Sequence, residues 1–234
     1  TGAKITLEIV VKSLTGYAVK TPVLESDKVN ALLNCRVLLK AENLQRTGSF
    51  KFRGAFNMIS NLINLQKNKG VVAFSSGNHA QGVAAASRIL NIKSTIVMPT
   101  DAPQIKINNT RNDGANIVFY NRADANRVKI AEKIIKKTGA TLVPPYDAPE
   151  IIAGQGTLGL EFIDQVKNRN TKLDYLLGPC SGGGLIAGNA IAFKERSPET
   201  LIYCVEPEGY DDTALSLKAG KRKSIKTNIN SFCD

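Results

Sequence analysis

Apolar positions in the middle of the chain follow two alternating patterns, with short apolar runs that predict strands and helical spacing that predicts helices. The predicted strands cover Val71–Phe74, Ser94–Met98, Asn116–Phe119 and Thr141–Val143, and the predicted helices cover Asn78–Leu90, Ala102–Asn112 and Ala123–Lys137. Strands that alternate with helices join through right-handed crossovers, so the pattern predicts a parallel sheet. We therefore expect a small α/β domain over residues 70–146.

The segments on either side carry a second α/β series. Its predicted elements are a helix within residues 1–20, a strand at Val37–Lys40, helices at Phe52–Leu65, Ile151–Lys167, Leu185–Arg196 and Thr213–Lys218, and strands at Leu173–Leu177 and Leu201–Val205. Residues 1–69 and 147–234 would form one discontinuous large domain. The predicted fold class is α/β, with two lobes that each contain a mostly parallel sheet flanked by helices.

The composition is that of a globular protein, with 234 residues of which 43% are hydrophobic and 22% charged. No apolar run is long enough to cross a bilayer, and no secretory signal pattern opens the chain. The four cysteines are widely spaced and fit free thiols in a reducing compartment. We expect a cytoplasmic protein without a membrane partner.

The net charge of +11 raises the question of nucleic-acid binding. The densest basic cluster, Lys218–Lys226, contains no aromatic residue, and a solvated basic surface explains the charge equally well. We therefore do not expect nucleic acid as a partner. The single histidine, His79, excludes a His-rich metal site and would have to act alone in a hydrolase.

Lys51 lies between Phe50 and Phe52, and this segment is the first candidate for chemistry. Apolar neighbours disfavour the charged form of a lysine by desolvation, and the uncharged amine is a nucleophile towards aldehydes. Such a lysine suits a Schiff base with pyridoxal phosphate. A solvated lysine whose aliphatic stem packs on the aromatic rings is the alternative.

Two turns between a predicted strand and a predicted helix are candidate anion sites. The first, Ser75–His79, would present free backbone amides and a helix dipole to a carboxylate or phosphate, or would simply cap the helix. The second, Ser181–Leu185, contains three successive glycines, which allow the backbone to approach a phosphate closely. No lysine follows the glycines as in a nucleoside-triphosphate loop.

The glycine turn also fits a dinucleotide-binding pattern, in which Gly182, Gly184 and Ala187 open the helix and Glu206 would bind a ribose. Separately, Glu206, Asp211 and Asp212 place oxygen ligands suited to Mg²⁺, Ca²⁺ or Mn²⁺ on one short loop. The alternative for this loop is an exposed acidic turn in which Asp212 caps the following helix.

Taken in order, the motifs Ser49–Ala55, Ser75–His79 and Ser181–Leu185 resemble one family along nearly the whole chain, including the segment Ala153–Thr157. It is the fold-type II (tryptophan synthase β-like) pyridoxal phosphate family, in its serine/threonine dehydratase and serine racemase branch. The family continues well beyond the position of Asp234, so the resemblance implies a fragment whose larger lobe is incomplete. Members of the family are commonly homodimers.

The resemblance implies a role for each motif. Lys51 would hold the cofactor covalently, Phe50 would pack beside its ring, and Asn78 would bind the ring hydroxyl. The phosphate would lie on the amides of Ser181, Gly182, Gly183, Gly184 and Leu185, and the substrate carboxylate on the turn formed by Ser75, Ser76, Gly77, Asn78 and His79. A divalent cation would bind Glu206, the carbonyl of Tyr210 and Asp212.

The function implied by the resemblance is a pyridoxal-phosphate-dependent ammonia-lyase. It would convert threonine, serine or threo-3-hydroxyaspartate to a keto acid and ammonia, with Lys51 as the base at Cα. Ser76 would face the opposite side of Cα, so a serine racemase is the alternative. Tyr146 stands where racemases tend to carry a smaller polar residue, which favours the dehydratase. A dehydrogenase that uses Gly182, Gly184 and Glu206 is the alternative from another enzyme class.

Overall fold

The structure is a computed structural model that describes residues 7–225. The predicted leading helix is present as α1 (Leu7–Leu14), and its first six positions lie outside the described residues. Lys226, the last residue of the basic cluster, and Cys233 also lie outside the described residues. Within the described part, no helix is both long and apolar enough to span a membrane.

The strand predicted at Val37–Lys40 is present, and the chain before the first motif also forms a strand and a helix that the apolar pattern did not predict. Strands β1 (Val23–Glu25) and β2 (Leu38–Lys40) pair antiparallel and enclose helix α2 (Asp27–Leu33). Two short 3-10 turns, Glu42–Leu44 and Arg46–Gly48, lead into the lysine segment. Strand β1 and helix α2 were missed because both are short and α2 has no buried residue, so neither period is visible in the sequence.

The predicted helix over Phe52–Leu65 is two helices, α3 (Lys51–Ser60) and α4 (Asn64–Lys69). The break follows Asn61, whose side chain donates a hydrogen bond of 2.8 Å to the carbonyl of Asn57. This bond competes with the helical pattern of the backbone, as is typical of asparagine near a helix end. The apolar spacing continued across the break and therefore hid it.

The four predicted strands of the middle segment form one parallel sheet in the order β5-β4-β3-β6. The strands are β3 (Val71–Phe74), β4 (Ser94–Pro99), β5 (Asn116–Tyr120) and β6 (Thr141–Leu142), and the helices between them are α5 (Asn78–Ile89), α6 (Gln104–Asn112) and α7 (Arg127–Thr138). Helix α7 begins later than predicted because Asn126 caps it, accepting from the amide of Val128 at 2.9 Å.

The last segment contains α8 (Pro149–Lys167), β7 (Tyr175–Pro179), α9 (Gly184–Arg196), β8 (Leu201–Val205) and α10 (Asp212–Ala219). Strands β7 and β8 are parallel neighbours. The predicted α/β class, with mostly parallel sheets flanked by helices, is confirmed. The division into a small and a large lobe stays a prediction, since one core cluster extends from α1 through α3 and α5 to α9.

Glycines allow α3, α8 and α9 to pack with their backbones in close contact. A Cβ atom on Gly154 of α8 would lie 2.5 Å from the Cα of Gly54 on α3, and one on Gly156 would lie 2.8 Å from the carbonyl oxygen of Gly188 on α9. These distances exclude a side chain at Gly154 and Gly156. The close packing fixes the start of α3, and with it Lys51, relative to the start of α9.

Candidate active site

Lys51 is the first residue of α3 and is half-buried. Its Nζ donates a hydrogen bond of 2.7 Å to the carbonyl of Pro145 and lies 5.3 Å from the centre of the Phe50 ring. No carboxylate pairs with it in the described part of the chain. Burial without a counter-charge lowers the pKa of Lys51 from 10.5 to about 8. Lys51 is therefore a good nucleophile and base near neutral pH.

The turn between β3 and α5 lies next to this lysine. Helix α5 packs on the start of α3 so closely that a Cβ atom on Gly82 would lie 3.1 Å from the carbonyl carbon of Lys51. Among residues 7–225, the amides of Ser76 and Asn78 have no hydrogen-bond acceptor, whereas the amide of Gly77 donates to Ser75 Oγ at 3.1 Å. The turn can thus bind a carboxylate through free amides at a helix N-terminus.

His79 belongs to the same turn, but its imidazole is 3% exposed and lies in the interior. Its Nε2 lies 2.9 Å from the carbonyl of Val143. Since that carbonyl can only accept, Nε2 carries the proton. Burial lowers the pKa of His79 to about 4, so the ring is neutral. His79 can serve a ligand only through its backbone amide.

The glycine turn between β7 and α9 offers a second set of free amides. None of the backbone amides from Ser181 to Ile186 finds an acceptor among the residues that the structure describes. Gly183 adopts φ = +79°, a left-handed conformation that favours glycine. An oxyanion that accepts several of these amides at the N-terminus of α9 would satisfy donors that the fold leaves open. The predicted phosphate turn fits this requirement.

The segment between β6 and α8 joins the two halves of the site. Pro145 holds the Lys51 amine, and the ring of Tyr146 lies against the glycine turn. A Cβ atom on Gly182 would overlap that ring, and one on Gly184 would lie 3.0 Å from the Cβ of Tyr146. The sequence predicts a role for Tyr146 only in substrate choice. Its neighbour Pro145 was missed because a backbone carbonyl leaves no signal in the sequence.

Two hydroxyl groups just before Lys51 are also notable. Thr47 adopts φ = +67°, which is rare for a β-branched residue, and its Oγ1 is buried without a partner in the described residues. The Oγ of Ser49 is likewise buried without a hydrogen-bond partner in the described residues. Buried polar groups are normally hydrogen-bonded, so these hydroxyls mark the lysine segment as a place where a ligand or water would add contacts.

Glu206 has a structural contact that the sequence did not predict. Its two carboxylate oxygens accept from the backbone amides of Thr213 at 3.1 Å and Ala214 at 3.0 Å, so Glu206 caps α10. The capping role that was considered for Asp212 therefore belongs to Glu206, while Asp212 is the first residue of the helix. A ribose would have to displace two amide bonds from Glu206, which argues against the dinucleotide alternative.

The cation site of Glu206, Tyr210 and Asp212 stays a prediction. Within residues 7–225, no group of three or more His, Cys, Asp or Glu side chains is arranged to hold a metal ion. The predicted ligands comprise only two such side chains and one backbone carbonyl. A cleft of about 690 Å³ lies between α1 and α8, and none of the predicted site residues lines it.

Comparison with known proteins identifies the family of the chain. The chain matches the family described as "Pyridoxal-phosphate dependent enzyme" over residues 14–234. It is 47% identical to an L-threo-3-hydroxyaspartate ammonia-lyase of Pseudomonas sp over 92% of this chain and 66% of the relative. It is 42% identical to a serine racemase of Schizosaccharomyces pombe over 90% of this chain and 64% of the relative.

Solved structures show the same fold. The crystal structure of a T.th. threonine deaminase superposes with a TM-score of 0.88 at 43% identity, covering 94% of this chain and 70% of that one. Maize serine racemase superposes with a TM-score of 0.89 at 37% identity, covering 94% and 65%. The chain thus spans about two thirds of the length of the relatives that it matches. It belongs to the family of pyridoxal-phosphate dependent enzymes.

Proposed function

We propose that this protein is an ammonia-lyase that converts a β-hydroxy amino acid to a keto acid and ammonia with the help of pyridoxal phosphate. The observation that carries the proposal is the placement of the Lys51 amine, which has no carboxylate partner among the described residues, beside two turns with free backbone amides. One turn suits the phosphate of the cofactor and the other suits the carboxylate of an amino acid.

The residues at the site fit the cofactor. The open amides from Ser181 to Leu185 would bind its phosphate, and Lys51 would hold its aldehyde carbon through the amine. Phe50 lies beside the Lys51 amine and would pack on the ring, and the exposed side chain of Asn78 would donate to the ring hydroxyl. Pyridoxal phosphate, when bound, withdraws electrons from Cα of an amino acid and so makes its proton acidic.

The remaining steps belong to residues of this chain. The amides of Ser76 and Asn78 would hold the substrate carboxylate and so orient Cα towards Lys51. Lys51 would become free when the amine of the substrate takes its place, and its amine would then remove the Cα proton, since burial lowers its pKa to about 8 and leaves it partly uncharged at neutral pH. The β-hydroxyl then takes up a proton and leaves as water, which balances the proton that Lys51 removed from Cα, and hydrolysis of the released enamine gives the keto acid and ammonia.

Hydroxyaspartate, threonine and serine are the proposed substrates, in line with the names of the relatives. Serine racemisation is the alternative, because a serine racemase is nearly as similar and because Ser76 offers a hydroxyl at the carboxylate turn. Ser76 would return a proton to the face of Cα opposite Lys51. Formation of D-serine without pyruvate would identify the racemase.

The first test is the visible absorption spectrum of the purified protein after incubation with pyridoxal phosphate. We expect a yellow protein whose band changes on addition of hydroxyaspartate, threonine or serine, and a colourless Lys51→Ala variant with activity reduced at least about a thousandfold. Lys28→Ala, which removes an exposed lysine on α2, is the matched control and should behave like the wild type. A colourless wild-type protein would rule out the proposed function.

Three further properties are part of the proposal. We propose that Glu206, the carbonyl of Tyr210 and Asp212 bind Mg²⁺, Ca²⁺ or Mn²⁺, that the protein acts as a homodimer, and that it works in the cytoplasm. Cation binding would need Glu206 to release the amides of Thr213 and Ala214. A rise in melting temperature with Mg²⁺ that is absent in Asp212→Asn would support the cation site.

A further inference from the structure

His79 is the single histidine of the chain, and its side chain takes no part in the proposed chemistry. It is the second residue of α5, and its imidazole is buried in the interior. A buried polar ring normally has a hydrogen-bond partner inside the protein. Within residues 7–225, the imidazole has one such partner, the carbonyl of Val143, which lies 2.9 Å from Nε2. The side chain of His79 therefore acts on the backbone of another element.

Val143 lies at the point where the chain leaves the parallel sheet. The preceding strand, β6, has only two residues and pairs only with β3, at one edge of the sheet. The amide of Val143 donates to the carbonyl of Val72 on β3 at 2.8 Å, and its own carbonyl accepts from His79 on α5. Two hydrogen bonds to two different elements thus hold the backbone of Val143 before it continues towards α8.

The residues that follow Val143 line both halves of the site. Pro144 and Pro145 have no amide hydrogen, so neither residue can anchor the backbone as a donor. The carbonyl of Pro145 accepts from Lys51 Nζ at 2.7 Å, and the ring of Tyr146 lies against the glycine turn. The positions of both contacts therefore depend on how firmly the backbone is held at Val143.

The hydrogen bond of His79 does not change with pH near neutrality. Burial lowers the pKa of His79 from 6.5 to about 4, although the bond to Val143 opposes this effect in part. The ring is therefore neutral at pH 7 and remains a donor through Nε2. The backbone of His79 belongs to the carboxylate turn, so this one residue links that turn to the segment beside the glycine turn.

We propose that His79 is a positioning residue, which fixes the carboxylate turn relative to the glycine turn through its bond to Val143. The inference rests on the proposed function and adds a residue to it. The cofactor phosphate and the substrate carboxylate would bind on two different turns, so the relative position of the turns decides whether Cα comes close to Lys51. The imidazole touches neither ligand and acts only through Val143 and the segment that follows it.

The test compares His79→Leu, which removes the donor at similar volume, with His79→Gln, whose side-chain amide can still donate to Val143. Uptake of pyridoxal phosphate is followed by visible absorbance. His79→Leu should bind the cofactor about tenfold more weakly. The pH midpoint of its uptake rate should rise above about 8, because a segment that is held less firmly admits water to the Lys51 amine. His79→Gln should keep the midpoint of the wild type.

Thr200→Val is the matched control, because it also removes a buried hydrogen bond, of 2.8 Å to the carbonyl of Leu173, at the start of β8. It should lower stability without changing the affinity or the midpoint. If His79→Leu takes up the cofactor like the wild type, or if Thr200→Val changes the midpoint equally, only this inference fails. If the wild type takes up no cofactor, the proposed function fails.

A second measurement needs no cofactor. Because His79 is the single histidine, nitrogen-15 spectra of the imidazole in the untagged protein need no assignment. We expect a neutral ring with the proton on Nε2 from about pH 8 to about pH 5. A ring that titrates near 6.5, or that carries its proton on Nδ1, does not donate to Val143. Either result would overturn the inference whatever the outcome of cofactor uptake.

Discussion

Two groups of buried cations lie side by side in this protein, and they differ in their partners. In the first, Arg53 binds both carboxylate oxygens of Glu42 at 2.8 Å and one of Glu161 at 3.0 Å, while Lys40 binds the other oxygen of Glu161 at 2.6 Å. In the second, Lys51 has only the carbonyl of Pro145 among the residues that the structure describes. Arg53 of the first group and Lys51 of the second both belong to α3, and a single residue separates them along the helix.

The partners decide what each cation can do. Burial lowers the pKa of Lys40, but the carboxylates of Glu161 and Glu42 oppose this effect. Burial lowers the pKa of Lys51 to about 8 without such opposition. A buried lysine that is paired with a carboxylate stabilises the fold, whereas the amine of a buried lysine without a carboxylate partner can act as a nucleophile or a base.

The largest expected effect on stability is at Arg53. Replacement by Met leaves the carboxylate of Glu42 buried without its main partner, so we expect the free energy of unfolding to fall by about 3–5 kcal/mol. Urea unfolding measures this change. Arg88→Met is the control, because the Arg88–Asp113 pair is exposed and its loss should cost less than about 1 kcal/mol. Equal effects of both substitutions would contradict the proposed difference.

A matched pair of substitutions compares the two lysines directly. Lys40→Met removes a partner of Glu161, and we expect a loss of about 1–3 kcal/mol. Lys51→Met removes a charge that burial disfavours, and a pKa lowered from 10.5 to about 8 sets an upper limit of about 3 kcal/mol on the gain at pH 7. The two substitutions should thus change the urea midpoint in opposite directions. Destabilisation by both would show that Lys51 is a structural cation.

The same pKa predicts how the stability of the cofactor-free protein depends on pH. Because the folded-state pKa of Lys51 is lowered to about 8, the unfolded chain binds more protons between pH 8 and 10.5. Lys51 therefore makes the free energy of unfolding rise with pH across this window. Below pH 8, where the amine is charged in both the folded and the unfolded protein, the cost of burying its charge is fully present. The difference between wild type and Lys51→Met should disappear towards pH 10.5. A difference that is constant with pH would contradict the lowered pKa.

The smallest expected effect is on the rate of cofactor uptake. Only the uncharged amine attacks an aldehyde, so the rate should rise with pH through about 8 and then level off, with about a tenfold difference between pH 7 and pH 9. Stopped-flow absorbance measures this rate. A midpoint near 10.5 would mean that Lys51 is solvated and that the proposed contrast with Lys40 does not exist.

Much of the fold followed from local patterns. The four strands of the parallel sheet and the helices between them appear where the apolar periods predicted them, because β3 and β4 are largely buried and each intervening helix contributes apolar residues to the core. The elements around β1 and α2 were missed because they are short and α2 has no buried residue. The break after Asn61 was hidden because one side-chain hydrogen bond decided it.

The sequence by itself determined the class of fold, the position of Lys51 between apolar neighbours and the two turns that leave amides free. These features depend on residues that are adjacent in the chain, so a local pattern is enough to reveal them. Only the tertiary structure decided which cations are neutralised, that Glu206 caps α10, and that Pro145 and Tyr146 lie between the lysine and the glycine turn. Those contacts join residues far apart in sequence, and a carbonyl or an interhelical approach has no sequence pattern of its own.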